Sequence, residues 1–238
     1  MRQKKRKRRR AMRRIVKFVC ICICIVAALM VLTTKVFPSV IAKNNISSGY
    51  EKCRIILDAG HGGDDVGTRG DGVNYDILEK DVNLEMVMRM KPLLEELGVE
   101  VVLTRGSDET LSLKERVKIA NDNEADLFVS IHCNYYEEDA SIRGLECYYY
   151  KRSDSGKQYA EEILGKIEGS GYVDTRNAKG SNFYVLKHTK APAVLVELGY
   201  FSNTEECKLL SEEKYQEILA NELVEGIVDV LNNSTDMQ

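Results

Sequence analysis

Four residues in this chain have types suited to holding a metal ion and moving a proton, and three of them stand where an apolar run stops. His61 follows RIILDAG, His132 follows DLFVSI, and Glu197 sits near the end of AVLVEL. Glu79 opens an amphipathic stretch that the loop leaving His61 runs into. The sequence has 3 histidines, and two of them are in this set. Neutral imidazole and carboxylate are ordinary zinc donors, and catalytic zinc sites take three protein ligands and keep a position open for water. Two histidines and one glutamate would hold the ion, and the other carboxylate would act on the water as general base and later as acid. The residues alone leave open which carboxylate takes which part.

Each residue also has a plainer explanation. A histidine at a strand end often serves as a cap or a surface group. Glu79 could be an acid favoured at a helix start by the macrodipole. Glu197 fits the plain explanation least, because a carboxylate inside an apolar strand is costly unless paired or bound to a cation. His188 lies in a Lys-rich loop and reads as surface. Gly60, Gly62 and Gly63 around His61 would let the backbone come close and leave room for a bulky substrate.

The elements that must position these groups follow from periodicity. Strands are expected at 54–58, 99–103, 126–131, 143–150, 183–187 and 193–198. Helices are expected at 79–97, ended by Gly98 and open to a kink at Pro92, and at 111–123, 155–168 and 211–231. A polar, glycine-bearing loop covers 169–182. Short apolar strands alternating with amphipathic helices predict an α/β fold: one domain with a twisted, mostly parallel or mixed sheet and helices on both faces. In such sheets ligands bind beyond the carboxyl ends of the strands, which is where His61, His132 and Glu197 fall.

Charge and hydropathy divide the chain. Eleven of the 34 Lys and Arg lie in residues 1–18, leaving 23 basic against all 37 acidic residues, a net −14 for the remainder. An acidic body argues against a nucleic-acid partner. Residues 18–32, FVCICICIVAALMVL, carry no charge. The expected organisation is a basic cytoplasmic head over 1–17, a transmembrane signal-anchor or signal peptide over 18–36, a stalk over 37–52, a catalytic domain over 53–231 and a tail over 232–238. Basic residues on the N-terminal side place the body outside, anchored to the membrane or released if the segment is cut. Cys20, Cys22 and Cys24 belong to the apolar segment, while Cys53, Cys133, Cys147 and Cys207 have no disulfide-framework spacing and read as mostly free.

Other chemistries find no footing. GHGGDDVG has neither dinucleotide-fingerprint nor P-loop spacing, and G-x-S-x-G and H-E-x-x-H do not occur. Ser130 and His132 share a strand face with no oxyanion loop in evidence, and Cys133 would point to the opposite face from His132, against a Cys–His nucleophile.

LDAGHGG, EKDVNL, SIHCN and PAVLVELGYFSN, in this order over roughly residues 53–231, resemble the zinc-dependent N-acetylmuramoyl-L-alanine amidases of the amidase-3 type. The resemblance implies that His61, Glu79 and His132 bind Zn2+ and that Glu197 is the catalytic carboxylate. It implies hydrolysis of the amide between the lactyl group of N-acetylmuramic acid and L-alanine in peptidoglycan. Cys133 stands where alanine is often found, and Tyr200 where phenylalanine is common. The short connection from His132 to Glu197 has no room for the autoinhibitory helix of some members. A short body behind one apolar segment is similar to the spore-cortex, germination-specific amidases, whose action allows muramic δ-lactam to form. A regulatory protein partner is expected, with 169–182 as its place. The competing expectations are another zinc peptidase of similar architecture and an inactive wall-binding module.

Overall fold

A computed structural model describes residues 53–70 and 76–235. The basic head, the 18–36 segment and the 37–52 stalk lie outside the described residues, and among those described no helix is long and apolar enough to cross a membrane. The elements run β1 (Arg54–Ala59), α1 (Glu79–Glu95), β2 (Glu100–Leu103), α2 (Leu113–Asp122), β3 (Leu127–Asn134), β4 (Glu146–Tyr150), α3 (Asp154–Ser170), β5 (Lys179–Ser181), α4 (Tyr184–His188), β6 (Ala193–Tyr200), α5 (Thr204–Leu210) and α6 (Glu213–Thr235).

The six strands form one mixed sheet in the order β2-β1-β3-β6-β4-β5. β2, β1, β3 and β6 are mutually parallel, and β4 runs antiparallel to β6. Both faces are covered, which is why the central strands read as unbroken apolar runs. Ile55, Leu57, Val129, Ile131, Val194 and Val196 pack into the larger core with residues of α1, α3 and α6. Ile56, Phe128 and Leu195 point the other way, against Val117 and Ala120 of α2 and Val185 and Leu186 of α4.

Local sequence explains most boundaries. Ser112 and Glu115 close a capping box on α2, with the Ser112 side chain accepting from the Glu115 N–H. α3 starts at an Ser153 cap and stops at Gly171, whose φ of 70° is left-handed. α1 runs through Pro92 to Glu95, and α6 continues past 231 to Thr235.

The strand expected at 183–187 is a correction. YVLKH forms the short helix α4, because a turn there lays Val185 and Leu186 together on the sheet face. The edge position goes to Lys179–Ser181, inside the segment expected to be loop, which pairs in parallel with β4. α5 was not expected: it begins at an Asn203 cap that accepts from the Glu205 and Glu206 amides. β1, β3 and β6 each run past their expected ends, so His132 lies within its strand rather than just past it, while Glu197 lies within β6 as expected.

Candidate metal and catalytic site

Parallel pairing of β1, β3 and β6 brings their carboxyl ends to one edge of the sheet. His61 follows β1, and the ladder of β3 and β6 sets His132 directly opposite Glu197. Glu79 is the first residue of α1, tied to the loop before it by its N–H donating to Thr68 O at 3.0 Å. The four expected residues therefore meet, although 136 positions separate the first from the last.

Glu79 is the centre of the cluster and only 2% exposed. Its Oε1 lies 2.9 Å from His132 Nδ1 and 3.1 Å from His61 Nε2, and it accepts from the Cys133 N–H at 3.1 Å. Its Oε2 accepts from the Thr68 N–H at 2.8 Å. Burial would push the Glu79 carboxyl up, but the two imidazoles outweigh it and hold it well below the usual carboxylate range. Burial likewise lowers His61, and the carboxylates of Glu79 and Asp65 reverse this and raise it to about 9. Asp65 Oδ2 sits 2.9 Å from His61 Nδ1, so His61 has one ring nitrogen toward Glu79 and the other toward an outer carboxylate.

One donor atom from each of His61, Glu79 and His132 lies within 4.8 Å of the others. Two imidazole nitrogens and a buried carboxylate oxygen make a donor set that suits zinc, and the three can hold a divalent cation in place of the protons they share. Histidines that bind metals commonly have a carboxylate on the second ring nitrogen, and Asp65 stands in that position on His61.

The His61 turn is held from behind. His61 has φ 60°, a left-handed conformation uncommon for a residue with a side chain. Buried Arg105 donates to Ala59 O and Gly60 O, both at 2.9 Å. Buried Arg116 donates to Ala59 O and His61 O at 2.6 Å and to Asp58 Oδ1 at 2.7 Å. Thr104 and Ser130 also donate to Asp58, each at 2.6 Å. Ser130 is thus committed beneath the site and is not a free nucleophile.

At Gly60 a Cβ would stand 2.2 Å from His132 Cε1, so only glycine lets the imidazole lie against this backbone. At Gly62 and Gly63 the corresponding space is taken by Glu109 O and Thr110 Oγ1. These two glycines serve loop packing, and the expected room for a substrate comes from elsewhere.

That room is a cleft of about 470 Å³ beside the cluster. His61, His132 and Glu197 line it, with Leu111 and Leu113 in one wall, Phe183, Tyr184 and Val185 in the other, and Leu195 below. Glu197 Oε2 is sealed from solvent and has no hydrogen-bond partner. Burial raises its pKa to about 7; nearby His132 opposes the rise, and the charges of Glu79 and Glu146 add to it. A carboxyl poised there can take and return a proton near neutrality.

Glu146 was not singled out from the sequence. It faces Glu197 across the β4–β6 ladder and is fully buried. It accepts from Lys179 Nζ at 2.8 Å, Tyr200 Oη at 2.7 Å, Tyr148 Oη at 2.9 Å and Arg176 Nε. Burial raises Glu146, and its hydrogen bonds, Lys179 first, more than offset that and keep it low. An acid in the aromatic run ECYYY was the available signal. Asp65, four residues past His61, carried a similar one.

Cys133 points away from the cleft, as strand alternation required, with Sγ 3.8 Å from Asn83 Oδ1 and its thiol raised by burial. Cys53, Cys133 and Cys147 are free thiols. His188 is exposed, on α4 rather than in a loop, with its ring 4.3 Å from that of Tyr184.

Residues 55–229 match the family model described as N-acetylmuramoyl-L-alanine amidase, of the amidase-3 type. The germination-specific N-acetylmuramoyl-L-alanine amidase of Bacillus subtilis is 33% identical over 197 residues, covering 76% of this chain and 81% of that one. The N-acetylmuramoyl-L-alanine amidase LytC of Bacillus subtilis is 37% identical over 177 residues, covering 73% of this chain but 34% of the longer relative. Among solved structures, the CwlD amidase from Clostridioides difficile, in complex with the GerS lipoprotein, superposes with a TM-score of 0.70 at 33% identity. That match covers 76% of this chain and 98% of CwlD.

Proposed function

Because the chain belongs to the N-acetylmuramoyl-L-alanine amidase family, we propose that it is a zinc-dependent hydrolase of the amide joining the lactyl group of N-acetylmuramic acid to L-alanine in peptidoglycan. The observation that carries this reading is the convergence of His61, Glu79 and His132 on one point, with Glu197 across the strand pair from His132. His61, Glu79 and His132 would hold the ion. When bound, zinc supplies Lewis acidity, lowering the proton affinity of a water and polarising the amide carbonyl.

The chain's own groups do the rest. Asp65 and the 59–61 backbone, clasped by Arg105 and Arg116, fix the His61 ring. The apolar walls Leu111, Leu113, Phe183 and Tyr184 shield the scissile bond from bulk water and orient the substrate. The Glu197 carboxylate, which lines the cleft, takes the proton released as water adds to the lactyl carbonyl carbon. It returns that proton to the L-alanine nitrogen as the C–N bond breaks, and the remaining proton of the water passes to the amine, leaving a lactyl carboxylate and an alanyl ammonium. The Glu197 environment, unpartnered and near neutral in pKa, supports this double role.

The finer reading is spore-cortex maturation and germination, supported by the germination-specific relative and by the CwlD likeness. On this reading the body works outside the cytoplasmic membrane, tethered by residues 18–36 or released from them. A lipoprotein-like regulatory partner is part of it, since CwlD is found with one.

The test is zinc content and muropeptide release for wild type and Glu197→Gln. The expected result is one zinc per chain in both, with release lost in the variant. Full activity of the variant removes Glu197 from the mechanism, and metal loss in the variant overturns the division of roles.

A further inference from the structure

Two carboxylates stand side by side at the carboxyl edge of the sheet, and their neighbours treat them in opposite ways. Glu146 and Glu197 are direct partners in the antiparallel ladder of β4 and β6. Their side chains therefore leave the same face, with Cβ atoms about 4.5–5.5 Å apart. Glu146 is fully buried, and four donors close on it. Tyr148 Oη donates to its Oε2 at 2.9 Å. Tyr200 Oη and Lys179 Nζ donate to its Oε1 at 2.7 and 2.8 Å, and Arg176 Nε donates to the same oxygen. Glu197 Oε2 is sealed as well, yet it has no hydrogen-bond partner among the described residues. A buried polar atom left without a partner is an exception in folded proteins, and here suitable donors stand one strand away.

The donors gather there because of strand direction. β4 runs antiparallel to β6, and β5 runs with β4, so the amino ends of β4 and β5 meet the carboxyl end of β6. Tyr148 lies two residues past Glu146 on β4, and Tyr200 ends β6 three residues past Glu197. Lys179 opens β5, and Arg176 lies just before it. Burial, the Glu146 hydrogen bond and the charges of Glu146 and Glu197 all raise the Tyr148 pKa, so its hydroxyl stands in the field of both acids. The Lys179 and Arg176 side chains are 42% and 38% exposed and can turn to water. The hydroxyls have less choice: Tyr200 is 5% exposed, and the Tyr148 ring is packed against Phe183 with centroids 5.3 Å apart. Without Glu146, each hydroxyl would either stay unsatisfied or turn to the carboxylate across the ladder, Glu197.

We propose that Glu146 is a positioning residue for the hydrolysis: it draws the Tyr148 and Tyr200 hydroxyls onto itself and so leaves the Glu197 carboxylate free to accept from the attacking water. The inference rests on the function proposed above and adds what keeps its base available. A carboxylate that already accepts from two hydroxyls holds its charge more tightly and takes a proton less readily. Lys179 and Arg176 complete the arrangement by compensating the Glu146 charge, which would be costly to bury alone. Glu146 touches neither substrate nor ion in this role and acts only through what it withholds from Glu197.

The test compares, in the full chain, Glu146→Met with the triple variant Glu146→Met/Tyr148→Phe/Tyr200→Phe. The single variant removes the acceptor and leaves the hydroxyls. The triple variant removes both sides, an exchange that can be nearly neutral when apolar groups fill the same space. Glu146→Met is expected to keep wild-type zinc content and KM and to lose kcat about 10–100-fold, the size of one charge-assisted hydrogen bond. The triple variant is expected to recover most of that loss. Crystal structures should show a tyrosine Oη about 2.7 Å from a Glu197 oxygen in the single variant. Should Glu146→Met fail to fold by circular dichroism, Glu146→Gln keeps the shape and sets an amide N–H₂ donor opposite Glu197. It is expected to lose kcat to a similar degree at unchanged KM and zinc content. Wild-type kcat in either single variant, loss of zinc, or a Glu197 carboxylate still untouched in the crystal overturns the proposal. So does a triple variant no faster than the single one, which is what a purely structural role predicts. A wild-type chain that releases no muropeptide sinks the amidase reading, and the crystal structures still decide where the hydroxyls go.

Discussion

His132 and Glu197 are direct partners in the parallel ladder of β3 and β6, so an imidazole and a carboxylate project side by side from one face of the sheet. The pairing is set by backbone hydrogen bonds and buried apolar neighbours, Ile131 beside Val196 and Ser130 beside Leu195. Replacing Glu197 by its amide leaves that backbone in place. The expected effect of Glu197→Gln on turnover is a loss of about 10²–10⁴-fold, the range of a general acid–base group, with thermal stability equal to or above wild type because a buried, unpartnered charge is gone. Melting by circular dichroism beside the turnover assay separates this from a folding defect.

Asp65 touches His61 Nδ1 and is itself 60% exposed on its side chain. Asp65→Asn should therefore weaken zinc affinity by about 10–100-fold, the usual effect of losing an outer-shell carboxylate, and leave unfolding unchanged. Competition against a chromogenic chelator reads the affinity. An unchanged affinity would mean the His61 ring is held by Arg105 and Arg116 through the backbone alone.

Gly60→Ala places a methyl 2.2 Å from the His132 ring. Either the ring or the β1–turn backbone must move, costing about 1–3 kcal/mol by overpacking and displacing a proposed ligand. Lower urea stability together with reduced zinc content is expected. Normal zinc content would show that the ring can turn aside without leaving the ion.

Asp58 and Arg116 form a buried pair, 1% and 4% exposed on their side chains. Burial raises the Asp58 carboxyl, but the Arg116 charge and hydrogen bonds from Ser130, Thr104 and Arg116 outweigh it and hold it below its ordinary value. Its folded pKa is depressed, so the associated stability is fully present above the unfolded value of about 3.9 and is lost as pH falls through the folded one. Asp58→Asn leaves Arg116 buried and uncompensated, and should cost about 3–5 kcal/mol at pH 7. The gap between variant and wild type should narrow below about pH 4, measured by urea unfolding at pH 7 and pH 3.5. A gap that stays constant with pH would mean the carboxylate's charge is not what holds the turn.

Removing zinc with a chelator should leave the fold intact. The core clusters on the two faces of the sheet contain none of the three proposed ligands. Far-ultraviolet circular dichroism should be unchanged, with a lower melting temperature that rises again as zinc is added back, by mass action. Unfolding on chelation would make the ion part of the structure and not only of the site.

Much of this was legible in the chain itself, and for a local reason. Apolar runs and helical periods record which segments are buried strands and amphipathic helices, and β1, α1, β3, β6 and α6 came out close to expectation. The types of His61, His132 and Glu197 near the ends of such runs, with Glu79 at a helix start, made the four candidates for a metal-assisted hydrolysis. What failed was also local in cause: YVLKH is too short for its pattern to tell strand from helix, so α4 and β5 exchanged places with the expected strand and loop.

The sequence by itself set out the α/β architecture and four candidate residues, because both are written in residue type and spacing; which three would hold an ion came only with the family resemblance. Only the tertiary structure decided which atoms meet: Glu79 between two imidazoles, His61 turned left-handed under two buried arginines, and Glu146 set opposite Glu197. Those relationships depend on strand register and on contacts between segments tens of residues apart, and no local pattern encodes a distance across the sheet.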